Sequence, residues 1–220
     1  MKLQYLGDSK DSFKWDYHDF LAETLKAPTL DVLFMMTPDD SGLDGNTPPS
    51  LFPAKNTIID FCHEVRSSRC LEKVKLLPQF TSAKYQVNIH REEQHFTNQN
   101  RREYFGTLPC TSSRLLFLDP DNGFEPEKSC GEKHISYKDI HILLSQLPHE
   151  ATISVFHHFR RIPFVNDFKR IEERLGDCHA TAIYWHSLMF VAVSKSTETI
   201  ARVTDANRCY SENYPVKTIL

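Results

Sequence analysis

The sequence lacks the features that mark membrane and secreted proteins. No apolar run approaches the roughly 20 residues that a membrane-spanning helix needs, and the opening MKLQYLGDSKDS has neither the charged nor the apolar segment of a secretory signal. The six cysteines form no C-x-x-C pair and no cluster with histidine at zinc-finger spacing, which favours reduced thiols. We therefore expect a cytoplasmic protein without a membrane partner.

The chain also lacks an excess of positive charge. It carries 26 lysines and arginines against 29 aspartates and glutamates, for a net charge of −3. No overall basic field indicates a nucleic-acid partner, although a local basic patch remains compatible with one. There is no internal repeat and no low-complexity tract, and the 40% hydrophobic and 25% charged content is that of an ordinary globular protein.

What is present is an alternation of strand-type and helix-type patterns over a length that suits one α/β domain, residues 1–220. Predicted helices cover about 12–25, 58–67, 136–147, 164–175 and 196–207, and predicted strands about 30–36, 85–89, 114–118 and 152–156. The alternation predicts a doubly wound, mostly parallel, Rossmann-like sheet, with an antiparallel pair over 180–193 near the C-terminus. The two strands of that pair are expected to break near His186 and Ser187. A long loop is expected at 37–53 and a helical insertion at 90–106.

The stretch LLFLDPDNGFEP, residues 115–126, joins a buried strand to a run of carboxylates. Ligands of open α/β sheets bind past the carboxyl ends of the strands, which makes Asp119 a candidate functional residue. Asp119, Asp121 and Glu125 also have the oxygen ligands that Mg²⁺ or Mn²⁺ prefers. A simpler interpretation is a turn, in which Asp and Asn bond their own backbone and Gly123 adopts positive φ.

Near the beginning, Asp8, Asp11 and Lys14 are spaced by three around a predicted helix start and share one face. Asp8 or Ser12 is suited to capping the helix, with a solvated charged face beside it. The functional alternative directs Lys14 into the crevice, where it neutralises an anionic cofactor or phosphate.

The end of the next strand, FHHFRR at 156–161, carries further candidates. Adjacent residues on an extended chain point to opposite sides, so at most one of His157 and His158 faces the crevice. Arg160 and Arg161 can hold a phosphate through forked donors, or form a solvated basic edge. The interleaved basic and aromatic residues of 90–105 similarly suit either a nucleic-acid surface or a solvated helix.

Four motifs together resemble a poorly characterised family of small bacterial and phage proteins. They are Y-L-G-D-x-x-D-x-x-K-W, M-x-T-P-D-D-x-x-x-D-G, L-D-P-D-N-G-x-E and H-H-F-x-R, within residues 4–161. That family has an S-adenosylmethionine-methyltransferase-like architecture and is distantly similar to ribosomal RNA adenine methyltransferases, whose catalytic segment is D-P-P-Y.

The resemblance implies roles for individual residues. Asp119 and Pro120 would lie at the catalytic strand end, where the acid accepts hydrogen bonds from a target amine. The sequence departs from the family pattern in two ways. Asp121 stands in place of the second proline and Asn122 in place of the stacking aromatic, so that Phe124 would have to provide the stacking ring. In addition, no G-x-G loop follows the first strand. The cofactor-binding residues that the resemblance implies are Tyr5, Asp8, Asp11, Lys14 and Pro120.

Three hypotheses follow. The first is an S-adenosylmethionine-binding, methyltransferase-like enzyme acting on a nucleic acid or nucleotide, with Asn122, Phe124, Arg160 and Arg161 binding substrate. The second is a metal-dependent phosphodiesterase or nuclease, in which Asp119, Asp121 and Glu125 hold Mg²⁺ or Mn²⁺ and His157 or His158 moves a proton. The third is a non-catalytic phage or mobile-element protein that binds a host partner.

Overall fold

A seven-stranded sheet organises the computed structural model, which describes residues 1–39 and 45–219. Its strands are β1 (Thr29–Phe34), β2 (Gln86–His90), β3 (Leu115–Asp119), β6 (Thr152–His158), β7 (His179–Trp185), β8 (Leu188–Ser194) and β9 (Lys217–Ile219). A separate two-stranded ladder joins β4 (Gly123–Phe124) to β5 (His134–Ile135). The helices are α1 (Ser9–Leu25), α2 (Asn56–Ser68), α3 (Leu77–Thr81), α4 (Arg101–Gly106), α5 (Tyr137–Gln146), α6 (Phe164–Leu175) and α7 (Thr197–Asn213).

The strand order is β2-β1-β3-β6-β8-β7-β9. The first four strands are parallel, whereas β8 runs antiparallel to both β6 and β7, and β9 is antiparallel to β7. This confirms the mixed α/β sheet, parallel in the N-terminal half with antiparallel strands near the C-terminus. The β7–β8 hairpin turns at His186 and Ser187, where the break is predicted.

Helices cover both faces because the central strands are apolar on both sides. Along β1, Leu30, Val32 and Phe34 join the core under α1, α2, α3 and α7, whereas Leu33 and Met35 join the core under α4, α5 and α6. The sheet therefore lies between two helical layers, and only its ends and edges are available to a ligand.

Helix α1 is buried nearly all round, so the expected solvated charged face on it is wrong. It packs against the sheet and α7, and several of its buried polar groups are paired across these contacts, whereas Trp15 Nε1 has no hydrogen-bond partner. The Tyr17 hydroxyl donates to Asn207 Oδ1 (2.7 Å) and Asp16 Oδ2 accepts from the Tyr210 hydroxyl (2.7 Å).

The other predictions of elements are partly confirmed. Helix α6 has the predicted bounds, while α7 continues to Asn213 and β1 ends at Phe34 instead of 36. Only residues 101–106 of the expected helical insertion at 90–106 form an α-helix. The expected loop at 37–53 contains the 3-10 helix Pro49–Leu51, and its residues 40–44 lie outside the described part of the chain. Helix α3 and the short strands β4, β5 and β9 have too few residues to show a period and were missed.

None of the helices in the described ranges combines the length and apolar content that crossing a bilayer requires.

Candidate functional site

The candidate site lies at the point where the strand order of the sheet reverses, between β1 and β3. From β1 the chain moves outward to β2, and then returns to β3 on the other side of β1. The carboxyl ends of β1 and β3 are adjacent: Phe34 is in register with Asp119, and the Met35 N–H donates to the Asp119 carbonyl (3.3 Å). Such a switch point is where open α/β sheets leave a crevice for ligands.

A lysine between two carboxylates occupies this crevice. Lys14 Nζ lies 2.7 Å from Asp119 Oδ2 and 2.6 Å from Asp11 Oδ1. The three side chains are at most 3% exposed. Residues 11 and 14 share one face of α1 because they are three positions apart, and that face looks onto the end of β3. The structure therefore brings Asp11, Lys14 and Asp119 together, as the sequence predicts.

Burial and charge determine the protonation of these groups. Burial opposes the charge on Lys14, but the neighbouring carboxylates of Asp11 and Asp119 outweigh it, so the pKa of Lys14 is raised. For Asp119, burial raises the pKa above its ordinary value, although Lys14 works against that rise. Lys14 therefore stays protonated, and Asp119 is a stronger proton acceptor than an exposed aspartate.

Asp8 caps α1, which confirms the structural alternative for this residue. Its Oδ1 accepts hydrogen bonds from the Lys10 N–H (2.8 Å) and the Asp11 N–H (3.0 Å). Burial, followed by the charge of Asp11, raises the pKa of Asp8 to about 6. A carboxyl group poised near neutrality beside the crevice is common at functional sites.

Asp121 lies at the same end of the sheet but has different partners. Its Oδ1 lies 2.6 Å from the Met1 amine, and the Thr37 hydroxyl donates to its Oδ2 (2.8 Å). The Met1 amine also donates to the Met35 carbonyl (2.9 Å). Burial alone would raise the pKa of Asp121, but the adjacent ammonium group lowers it.

These groups enclose a small cavity of about 40 Å³. It is lined by Met1, Tyr5, Asp8, Lys10, Asp11, Lys14, Asp119, Pro120, Asp121 and Phe156. A water occupies about 10–15 Å³ on this measure, so the cavity holds on the order of three waters. All five predicted cofactor-binding residues line it, together with Asp119 and Asp121.

The structure does not bring His157 to this cavity. Its side chain is fully buried on the other face of β6, where Nδ1 accepts from the Phe124 N–H (3.1 Å) and Nε2 donates to Asp167 (2.7 Å). Burial lowers the pKa of His157, although Asp167 opposes that effect. Its neighbour His158 lies on the cavity side, where its Nε2 is 3.3 Å from Lys10 Nζ. Only one of the two histidines faces the crevice, as predicted, and it is His158.

The predicted substrate-binding residues Asn122 and Phe124 lie in the β4 region. Phe124 is fully buried and stacks on Tyr137, so its ring is not available for stacking on a base. The Asn122 N–H donates to the Lys133 carbonyl (2.9 Å), and its own carbonyl accepts from the His158 N–H (3.1 Å). Both residues hold the strand-end loop in place.

The two arginines differ sharply. Arg160 Nη2 donates to Asp167 Oδ1 (2.7 Å) and its Nη1 to the Phe124 carbonyl (3.0 Å), which makes it part of the internal framework. Arg161 is exposed. Next to it, Phe159 is 40% and Ile162 41% exposed, which makes this loop one of the few exposed apolar places among the described residues.

The three acids of the metal hypothesis do not converge. Asp119 contacts Lys14, Asp121 contacts Met1 and Thr37, and Glu125 Oε1 accepts from the Tyr137 N–H (3.0 Å). Within 1–39 and 45–219 they form no group of closely spaced ligand atoms, because each carboxylate is held by a different neighbour.

Comparison with known proteins adds little. No protein-family model and no curated protein matches the sequence. A crystal structure of cofactor-bound Rv0187 from MTB is similar over 84% of this chain and 81% of that chain, with 10% sequence identity and a TM-score of 0.41. A likeness of that size carries no argument about function.

Sequence reasoning missed several residues of the site. Lys10 and Phe156 line the cavity but stand at no specified position of the quoted motifs, and Thr37, which does belong to the M-x-T-P-D-D motif, was not predicted to hold Asp121. Met1 was missed because its place depends on how the first residues fold back onto β1. The alternation along β6 could have selected Phe156, since it lies two residues before His158 and on the same side.

Proposed function

We propose that the chain binds S-adenosylmethionine at the carboxyl ends of β1 and β3 and transfers a methyl group to an amine of a nucleic acid or nucleotide. The observation that carries the proposal is the buried Lys14 between Asp11 and Asp119 at the switch point of the sheet. The fold does not need charged residues at these positions, because burying charges costs free energy and apolar residues of similar size would avoid that cost.

The polar groups of the cavity suit this cofactor, which supplies an electrophilic methyl group when bound. Asp8 and Asp11 offer carboxylates to a cationic ligand, and Lys14 offers an ammonium group to a ligand carboxylate. Asp119 would accept a hydrogen bond from the substrate amine once Lys14 pairs with Asp11 alone. Its raised pKa also suits it to take up the proton that the amine loses.

The enclosed space, in contrast, is too small. Ligand pockets span about 300–1,000 Å³, whereas this cavity has about 40 Å³. Its wall includes Met1 and Tyr5, the latter in the 3-10 helix Leu3–Tyr5. The proposal therefore requires this first segment to move outward when the cofactor binds.

The loop after β6 supports a nucleic-acid substrate. The loop after β6, residues 159–163, contains no acid, and its exposed Phe159 lies two residues before exposed Arg161. Cations beside an exposed ring are suited to phosphate contacts and base stacking. Arg161→Glu should weaken nucleic-acid binding, and Arg202→Glu, on the exposed side of α7, is the matched control.

Calorimetry with S-adenosylmethionine tests the proposal directly. We expect binding by the wild-type protein, at least ~tenfold weaker binding by Asp11→Asn, and unchanged binding by Asp205→Asn, an exposed control on α7. Transfer of a labelled methyl group to RNA, DNA or nucleotides identifies the substrate, and Asp119→Asn should lose this transfer. Absence of binding at millimolar cofactor, or equal affinity in Asp11→Asn, would refute the site.

A further inference from the structure

We propose that Asp31, His90 and Cys110 form a zinc-binding site. These residues lie on the sheet face covered by α4, α5 and α6, apart from the cavity at Asp119, and the inference does not depend on the proposed function. One ligand atom from each residue lies within 4.8 Å of the other two. Among the described residues, this is the group that meets such a spacing.

The strand register brings these distant residues together. Asp31 interrupts the otherwise apolar central part of β1, and His90 ends the parallel neighbour β2, two residues beyond Asn88, which is in register with Asp31. Cys110 lies in the turn before β3, where its carbonyl accepts from the Ser113 N–H (3.0 Å). Asp31 and Cys110 are buried, and the His90 side chain is 14% exposed.

The distances require only a small adjustment. His90 Nε2 lies 2.7 Å from Asp31 Oδ1. In a tetrahedral site with Zn–N and Zn–O near 2.1 Å and Zn–S near 2.3 Å, ligand atoms lie about 3.3–3.7 Å apart. Shifts of roughly 1 Å or less therefore place all three atoms around one ion.

The neighbouring donors fit a metal ligand. The Thr29 hydroxyl donates to Asp31 Oδ2 (2.8 Å), and Asn88 Nδ2 donates to Asp31 Oδ1 (3.1 Å). Hydrogen bonds of this kind orient a carboxylate ligand in metal sites. The set of one sulfur, one nitrogen and one oxygen suits zinc, whereas Mg²⁺ and Ca²⁺ prefer oxygen alone.

Binding has a defined proton balance. Cys110 ligates as a thiolate and releases its proton to solvent. The proton that His90 Nε2 shares with Asp31 moves to the other ring nitrogen, so that the ring stays neutral. No redox change occurs, since zinc remains divalent.

Metal titration decides between this site and a purely structural hydrogen-bond network. The chelator-treated protein is titrated with Co²⁺ and then with Zn²⁺. We expect one ion per chain, a thiolate-to-cobalt charge-transfer band that zinc abolishes, and a higher melting temperature with zinc. Substoichiometric uptake, or uptake without that band, would overturn the proposal in favour of the network.

Variants locate the ion. Cys110→Ser should remove the charge-transfer band, and His90→Gln should weaken zinc affinity at least ~tenfold. Cys209→Ser, an exposed cysteine on α7, should change neither. Circular dichroism of the metal-free variants checks that each folds, and His90→Gln serves if Cys110→Ser does not. Metal binding that persists unchanged in the folded Cys110 or His90 variant contradicts the proposal.

Discussion

At the scale of single residues, Lys14 is the group on which the site depends. It is the cation that lies against both Asp11 and Asp119, and all three side chains are buried. Without it, two carboxylates would face each other with little solvent. A buried charge left without its partner destabilises a fold far more than an exposed pair stabilises it.

Lys14→Met should therefore lower the free energy of unfolding by about 3–5 kcal/mol near neutral pH. Lys14 opposes the rise in the pKa of buried Asp119, so loss of the cation raises that folded-state pKa further and the variant loses stability as pH rises. The deficit should be smaller near pH 5 than near pH 8 in urea unfolding. Lys10→Met, whose amine is only partly buried, is the control. A similar deficit at both pH values would show that the carboxylates are not the cause.

Asp8 gives a second prediction, on pH dependence. Its pKa rises from 3.8 to about 6 on folding, so its stabilising contribution is complete below about pH 4 and is lost as pH rises through 6. That rise corresponds to at most about 3 kcal/mol. Asparagine caps helices as well as aspartate does, so Asp8→Asn should be more stable than wild type at pH 7.5.

The two proteins should have equal stability near pH 3, below the unfolded-state pKa of 3.8, where Asp8 is largely protonated in both the folded and the unfolded state. Thermal unfolding at several pH values measures the difference. A constant difference across this range would mean that Asp8 does not titrate as described.

At the scale of elements, the end of β6 separates side chains that hold the framework from those on the side of the cavity. Strand alternation turns His157 toward Asp167 and His158 toward Lys10. Gly123, the first residue of β4, has φ +97°, and a Cβ there would lie 2.4 Å from His157 Nδ1. His157 thus fixes the loop that follows Asp119, although it lies outside the cavity.

Replacement of each histidine by glutamine separates the two roles. His157→Gln should lower stability by about 1–3 kcal/mol, because the Phe124 N–H and Asp167 lose a well-placed partner. It should leave affinity for S-adenosylmethionine nearly unchanged. His158→Gln should have the opposite profile, with a small effect on melting temperature. A loss of ligand affinity in a folded His157→Gln protein would restore His157 as a site residue.

At the scale of the whole molecule, the sheet order creates the crevice and the first residues close it. The 3-10 helix Leu3–Tyr5 forms part of this cover, where the Leu6 N–H donates to the Leu3 carbonyl (3.0 Å) and the Met1 amine donates to the Met35 carbonyl (2.9 Å). Opening the cavity breaks contacts of this kind, so it is a local unfolding step with a free-energy cost that ligand binding must exceed. The sheet below has seven strands and does not need to change.

Hydrogen exchange tests this opening. With bound S-adenosylmethionine, the amides of Tyr5 and Leu6 should exchange faster, while those at the ends of β1 and β3 should exchange more slowly. The amides of α6, remote in sequence and on the other face, should not change. Protection of Tyr5 and Leu6 on binding would mean that the cavity accepts the ligand by another route.

Much of the architecture was predictable because it depends on local patterns. The apolar runs of β1 and β3 and the period of α6 are readable in the sequence, as is the turn at His186. The position of the candidate site at the end of β3 was also predictable, because carboxylates that follow a buried strand need partners. Pairing itself was not local: Asp119 is 105 residues from Lys14.

The sequence by itself determined which segments become strands and helices, and that acids end the third long strand, because periodicity and residue type act over a few neighbouring positions. Only the tertiary structure decided which face of β6 meets the cavity, which partner each acid receives, and that Asp31, His90 and Cys110 meet. Those outcomes depend on strand order and register, which bring together groups that no local pattern relates.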